Sequence, residues 1–236
     1  MSNSAQSPSS PSMPHADAIL AGGATTYFEL FDLPPRLTID TAELERAFYR
    51  LSRKLHPDLY ARKSAEQQAW SLRQSSLLND AYRTLKDPIA RTEYLLELEG
   101  LRRKDENKQE GASAKQSRVP ADLLEEVFEF NMQLEEMRMN VKMGEDDPEL
   151  RSDLTAAQQQ FTGMLDDTDR DLRSAWSAWD AAVDAGETPG KDAAKARMAA
   201  LLDRRSYLRN LVRDVATVLE PANGAPATSD VVQTGV

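Results

Sequence analysis

Groups able to do chemistry concentrate at one place in this sequence, the tripeptide His56-Pro57-Asp58. An imidazole two residues from a carboxylate can orient a hydrogen bond or share a proton, and the proline between them fixes the local backbone. As a catalytic set it is incomplete. No nucleophile stands beside it, and acid–base turnover by His56 and Asp58 would need a pocket that slim helical units hardly offer. Basic residues crowd the same stretch. Arg46, Arg50 and Arg53, spaced four and three apart, share the outer face of a helix, with Lys54 beside them. From Arg46 to Lys63, six basic residues (Arg46, Arg50, Arg53, Lys54, Arg62, Lys63) oppose Asp58 alone, in a chain of net charge -10. Such a run is either a solvated face or a docking surface for an acidic partner. Its concentration against the global sign favours the docking surface.

Composition closes most other chemistry. The 236 residues include no cysteine, so disulfides, thiolate-held zinc or iron–sulfur clusters and a cysteine nucleophile are excluded. His15 and His56 are the only histidines, too few for a metal site built on imidazoles. No metal and no cofactor are therefore expected. The net charge of -10 and pI near 4.8 oppose binding to nucleic acid or anionic membranes. No apolar run approaches the roughly 20 residues that span a bilayer. No Lys or Arg precedes Arg36, so the N-terminus lacks the basic region of a secretory signal or presequence, and a cytoplasmic location is expected.

The elements that must position His56 read as helices throughout, giving an all-α fold with no strand signal. Residues 1–24 and 221–236, rich in Ser, Pro, Ala and Gly, are expected to be disordered tails, and 101–118, charged without an apolar face, a linker. Two blocks remain, 25–100 and 119–220. In the first, Leu44, Phe48, Leu51 and Leu55 line one face of a helix opened by Asp40 or Thr41 and broken at His56-Pro57-Asp58. A second helix, about Ala65 to Lys86, faces inward with Leu78, Ala81, Tyr82 and Leu85. Asp87-Pro88 starts a third with Ile89, Tyr94, Leu95 and Leu98 inward, closed by Gly100.

The second block carries a seam of alternating fours and threes, Leu123, Val127, Phe130, Leu134, Met137 and Val141. Asp147-Pro148 restarts a helix of roughly 35 residues, about 50 Å long, through Leu150, Leu154, Phe161, Leu172, Ala175, Trp179 and Ala182. After a break at Gly186–Gly190, a third helix carries Ala194, Met198, Leu201, Leu208, Val212, Val215 and Leu219, with Arg205 the one charge on the seam. Three seamed helices imply an antiparallel three-helix bundle. The acidic run Asp166–Asp171 lacks the glycine and final glutamate of a calcium loop and reads as a solvated face. Trp176 and Trp179 read as core and edge. Met132, Met137, Met139 and Met143 read as core filler with one or two surface contacts.

A basic amphipathic helix, then His-Pro-Asp, then a helix ending Asn79-Asp80-Ala81-Tyr82-Arg83-Thr84-Leu85, then Asp87-Pro88, resembles the J domain, the module with which co-chaperones stimulate ATP hydrolysis by DnaK-type chaperones. Tyr27-Phe28-Glu29-Leu30-Phe31-Asp32-Leu33-Pro34 and Arg91-Thr92-Glu93-Tyr94-Leu95-Leu96 narrow the likeness to the HscB family, co-chaperones of iron–sulfur cluster assembly. That resemblance implies a J domain at 25–100 and a client-binding three-helix bundle at 119–220. It implies that Arg46, Arg50, Arg53 and Lys54 dock on an acidic surface of a DnaK/HscA-type chaperone, and that His56, Pro57 and Asp58 trigger its ATPase. Leu59 departs from the family, which usually has Lys or Arg after His-Pro-Asp.

In the bundle, Leu124, Phe128 and Met132 recur every fourth residue, displaced about 100° from the seam of their own helix. Glu125, Glu129 and Glu136 flank them. An off-seam apolar stripe edged with carboxylates suggests a partner-binding groove, or else packing on the J domain or a wider core. Tyr207 is off-seam on the last helix, either exposed beside Leu211 or partly in the core. HscB proteins bind the scaffold protein IscU through an apolar patch of the first bundle helix and an aromatic on the last. By motif alignment Leu124, Phe128, Glu129 and Glu136 fall on the first and Tyr207 on the second. Met132 takes an acidic position of the family, which makes that contact apolar or removes it. The implied function is a co-chaperone and not an enzyme, bringing an IscU-type scaffold to its chaperone to assist cluster transfer. A J protein serving another client, or a helical adaptor without ATPase stimulation, are the other readings.

Overall fold

The computed structural model describes residues 26–101, 119, 123–145 and 147–219. The expected tails and nearly all of the expected linker lie outside the described residues. Among those described, all regular structure is helical: α1 (Tyr27–Leu30), α2 (Thr41–Leu55), a 3-10 turn (Pro57–Tyr60), α3 (Ala65–Lys86), α4 (Pro88–Leu98), α5 (Leu124–Met143), α6 (Pro148–Ala185) and α7 (Thr188–Leu219). Two compact units result. The first comprises described residues up to 101 together with Ser174–Ala199; the second comprises those from 119 to Arg173 together with residues from Ala200 onward. α6 and α7 each contribute to both.

Local chemistry sets the helix ends of the first unit. Thr26 and Glu29 form a capping box on α1, Asp40 caps α2, and Ser64 with Gln67 caps α3. Asp87 ends α3 and caps α4 through the amides of Ile89 and Ala90, with Pro88 in the first turn, where its missing N–H costs nothing. Gly100, just past α4, takes φ +82°, the left-handed backbone that suits glycine. Phe28, Leu44, Leu51, Leu55, Leu78, Ala81, Leu85 and Leu95 are buried. The inward face of α4 differs from expectation. Leu98 is exposed and Leu96 is buried, alongside Arg91 and Thr92. Tyr94 stacks on Tyr27 with ring centroids 4.4 Å apart, and the covered face of α4 is that of Arg91, Thr92, Leu95 and Leu96.

The loop between α1 and α2 is fastened to residues of α6 in the same unit. Asp180 accepts from the amides of Leu37 (2.8 Å) and Thr38 (2.9 Å), and Trp179 Nε1 donates to the Pro35 carbonyl (3.2 Å). Arg36 pairs with Asp184, and Lys195 with Glu99 at 3.3 Å. Arg91 donates to the Leu85 carbonyl (2.5 Å). Burial lowers the pKa of its guanidinium, against the opposing fields of Asp87 and Asp180. The expected break at Gly186–Gly190 shrinks to Gly186 and Glu187, because α7 begins at Thr188. Gly190 lies inside α7, where a Cβ would meet the Ala182 Cβ at 3.0 Å.

In the second unit, Leu123 at the head of α5 and Val127, Phe130, Leu134 and Met137 within it pack with Leu150, Leu154 and Phe161 of α6 and Leu208, Leu211 and Val215 of α7. Phe130 and Phe161 meet edge to face at 5.0 Å. Four expectations need correction. Val141 is exposed, because the seam ends a turn before α5 does. Leu202 is buried where Leu201 is only half-buried, and Leu211 where Val212 is. Of the four methionines, only Met137 is core; Met132, Met139 and Met143 are exposed. Arg205 on the seam is neutralised by Asp169, with Nε 2.6 Å from the carboxylate. Trp179 is core and Trp176 half-buried, as their seam positions imply.

Candidate functional site

α2 delivers His56. Its inner face buries Leu44, Ala47, Leu51 and Leu55, which fixes the outer face and the point where the helix stops. Pro57 disfavours helical backbone in the residue before it, and His56 turns to φ -58°, ψ 129°. The Nδ1 atom of His56 lies 3.3 Å from the Asp58 amide and 3.4 Å from its carboxylate. A neutral imidazole accepts from the amide; a protonated one donates to the carboxylate. Either way His56 and Asp58 are bound into one tight turn. The Asp58 side chain is 89% exposed and that of His56 56% exposed. Groups so open to water suit recognition by a partner better than water-excluded chemistry. Arg46, Arg50, Arg53 and Lys54 are all exposed on α2, leading up to this turn. Arg46 makes only a marginal pair with Asp40 at 4.0 Å.

On α5, Leu124 (55%), Phe128 (69%) and Met132 (62%) are strongly exposed, with Glu125, Glu129 and Glu136 exposed beside them. The stripe neither widens the core nor packs away. Tyr207 on α7 behaves differently. It packs against the core cluster of the second unit, and burial raises the pKa of its phenol.

Residues 26–94 match the DnaJ domain family. Over 82% of this chain and 97% of the other, the structure is similar to the chaperone HscB from Vibrio cholerae, at 25% identity and a TM-score of 0.50. The chain carries a J domain, within a fold like that of HscB. A similar likeness in fold links it to the human co-chaperone protein HscB, at 23% identity and a TM-score of 0.52 over 81% of this chain and 80% of that one. The J domain thus spans α1 to α4 and displays His-Pro-Asp between α2 and α3. No described helix is long and apolar enough to cross a membrane.

Sequence reasoning missed the residues that brace the J-domain turn from behind. The Leu55 carbonyl, immediately before His56, accepts from two α3 hydroxyls, Ser71 (2.7 Å) and Ser75 (3.0 Å). Gln68 Nε2 donates to the carbonyls of Ala61 (3.2 Å) and Lys63 (3.0 Å), where the loop rejoins α3. The serines are spaced four apart on the face of α3 toward α2, a signal readable only once that helix pair is known. Leu59, in the 3-10 turn, is 61% exposed and adds an apolar group beside Asp58.

Proposed function

We propose that this chain brings an IscU-type iron–sulfur scaffold to a DnaK/HscA-type chaperone and stimulates that chaperone's ATPase, assisting cluster transfer without turnover of its own. The observation that carries this reading is the exposed His56-Pro57-Asp58 turn, braced by Ser71, Ser75 and Gln68 at the end of the basic face of α2. Arg46, Arg50, Arg53 and Lys54 steer the J domain to an acidic surface of the chaperone. Asp58 pairs with a chaperone cation, Pro57 holds the turn, and His56 keeps Asp58 oriented. Leu124, Phe128, Glu129, Met132 and Glu136 of α5, with Tyr207 of α7, receive the scaffold. Having no cysteine, the chain acts on the cluster only through the partner that holds it.

Calorimetric titration of the full chain with purified IscU-type scaffold tests the client half. Saturable heat at micromolar protein is expected. No heat would overturn the scaffold assignment in favour of another client.

A further inference from the structure

The 3-10 turn Pro57–Tyr60 advances about 120° per residue, so Pro57 and Tyr60 share one direction and Asp58 and Leu59 take the other two. Burial follows that geometry: Pro57 and Tyr60 are half-buried, Asp58 and Leu59 exposed. The Tyr60 ring lies against Trp70 of α3, with centroids 5.7 Å apart, and its hydroxyl is 3.5 Å from the Lys54 carbonyl. The Leu59 amide donates to the His56 carbonyl (3.0 Å). Tyr60 thus closes the turn toward α3, and Leu59 is held facing solvent next to Asp58.

A lone exposed leucine needs no explanation by itself. Leu59 differs in its place. It is the one large apolar side chain exposed between Arg53 and Ser64, a stretch in which Arg53, Lys54, Arg62 and Lys63 are exposed cations. Its backbone is fixed on three sides, by Ser71 and Ser75 on the Leu55 carbonyl, by Gln68 on the carbonyls of Ala61 and Lys63, and by Tyr60 on Trp70. An apolar group on backbone already ordered in this way binds with little further loss of chain entropy.

We infer that Leu59 is a specificity-determining contact of the turn, entering an apolar hollow of the chaperone beside the cation that pairs with Asp58. The inference rests on the chaperone reading above and adds to it the chemistry of the surface that meets the turn. Asp58 and Leu59, adjacent and pointing apart, present a carboxylate and an aliphatic group at a fixed spacing. A chaperone with the cation but a polar or acidic surface in place of the hollow leaves Leu59 unmatched, and the fit discriminates against it. The basic face of α2 supplies attraction that salt screens, whereas the Leu59 contact is apolar and is not screened.

The test is ATP hydrolysis by a purified DnaK/HscA-type chaperone, titrated with full-length parent, Leu59→Met, Leu59→Ser, Leu59→Lys and Asp58→Asn. Leu59 is exposed, so its variants should keep the parent's circular dichroism and melting temperature. Leu59→Ser is expected to raise the concentration for half-maximal stimulation about tenfold, from the apolar area it removes, and Leu59→Met to restore it. The deficit of Leu59→Ser should persist from low to high sodium chloride. A parent-like half-maximal concentration for Leu59→Ser, while Asp58→Asn abolishes stimulation, overturns the Leu59 contact and leaves the chaperone reading intact. Tighter action by Leu59→Lys than by the parent places an acidic surface opposite the turn and overturns the hollow. No stimulation by the parent overturns both readings.

Discussion

At the scale of single residues, the J-domain turn is braced from behind by two side chains of α3. The Leu55 carbonyl is the last backbone acceptor before His56, and the fully buried Ser71 and half-buried Ser75 satisfy it. Ser71→Ala with Ser75→Ala leaves that carbonyl without these donors, a cost of about 1–3 kcal/mol. Urea denaturation should show the loss, and an unchanged midpoint would mean the serines do not brace the turn. The His56–Asp58 contact is the residue-scale feature most legible in sequence, because both partners lie within one tripeptide. The serine braces are not legible in that way. Their partner is 16 and 20 positions earlier, and serine within a helix carries no directional signal of its own.

At the scale of elements, the helices declare their ends locally. Asp40, Ser64 and Asp87-Pro88 place the starts of α2, α3 and α4 where capping chemistry puts them. The faces were less legible. Leu98 and Val141 keep the right period but lie exposed in last turns, and Leu96 is buried with Leu95, Arg91 and Thr92 on the covered face of α4. Periodicity finds a face but cannot say where its covering helix ends. The outer face of α2 carries its own prediction. Arg50→Glu with Arg53→Glu should slow association with the chaperone severalfold at low salt, by stopped-flow fluorescence, and the difference should shrink at high salt. An equal effect at all salt concentrations would contradict electrostatic steering. The loop between α1 and α2 is held by a contact with no local signature, since Asp180 lies 143 positions from Leu37. Asp180→Ala strands the buried Leu37 amide and should cost about 1–3 kcal/mol. Hydrogen exchange at the amides of Leu37 and Thr38 should accelerate in that variant. Unchanged protection would show that other contacts fasten the loop.

At the scale of the whole molecule, the all-α architecture was readable from the seams, the caps and the missing strand signal, and the His-Pro-Asp context pointed to the J domain that residues 26–94 match. The exposed apolar residues of α5 were legible in sequence only as far as Met132. Met139 and Met143 read as core filler on residue type alone, since methionine is at home in cores, although the helix period sets them opposite the seam. Function, in the account proposed here, requires one chain to hold two partners. A scaffold bound to the bundle helices is presented at high effective concentration to a chaperone engaged by the J domain, so two modest affinities act together. Charge exposed at Asp58 and apolar surface exposed on α5 are then separable, and damage to one should spare the other. The most direct measurement is single-turnover ATP hydrolysis by the DnaK/HscA-type chaperone with this protein and scaffold present, comparing the parent with Asp58→Asn while calorimetry follows scaffold binding. The parent should stimulate hydrolysis and Asp58→Asn should not, with scaffold affinity equal in both; stimulation by Asp58→Asn at the parent's level would contradict the account.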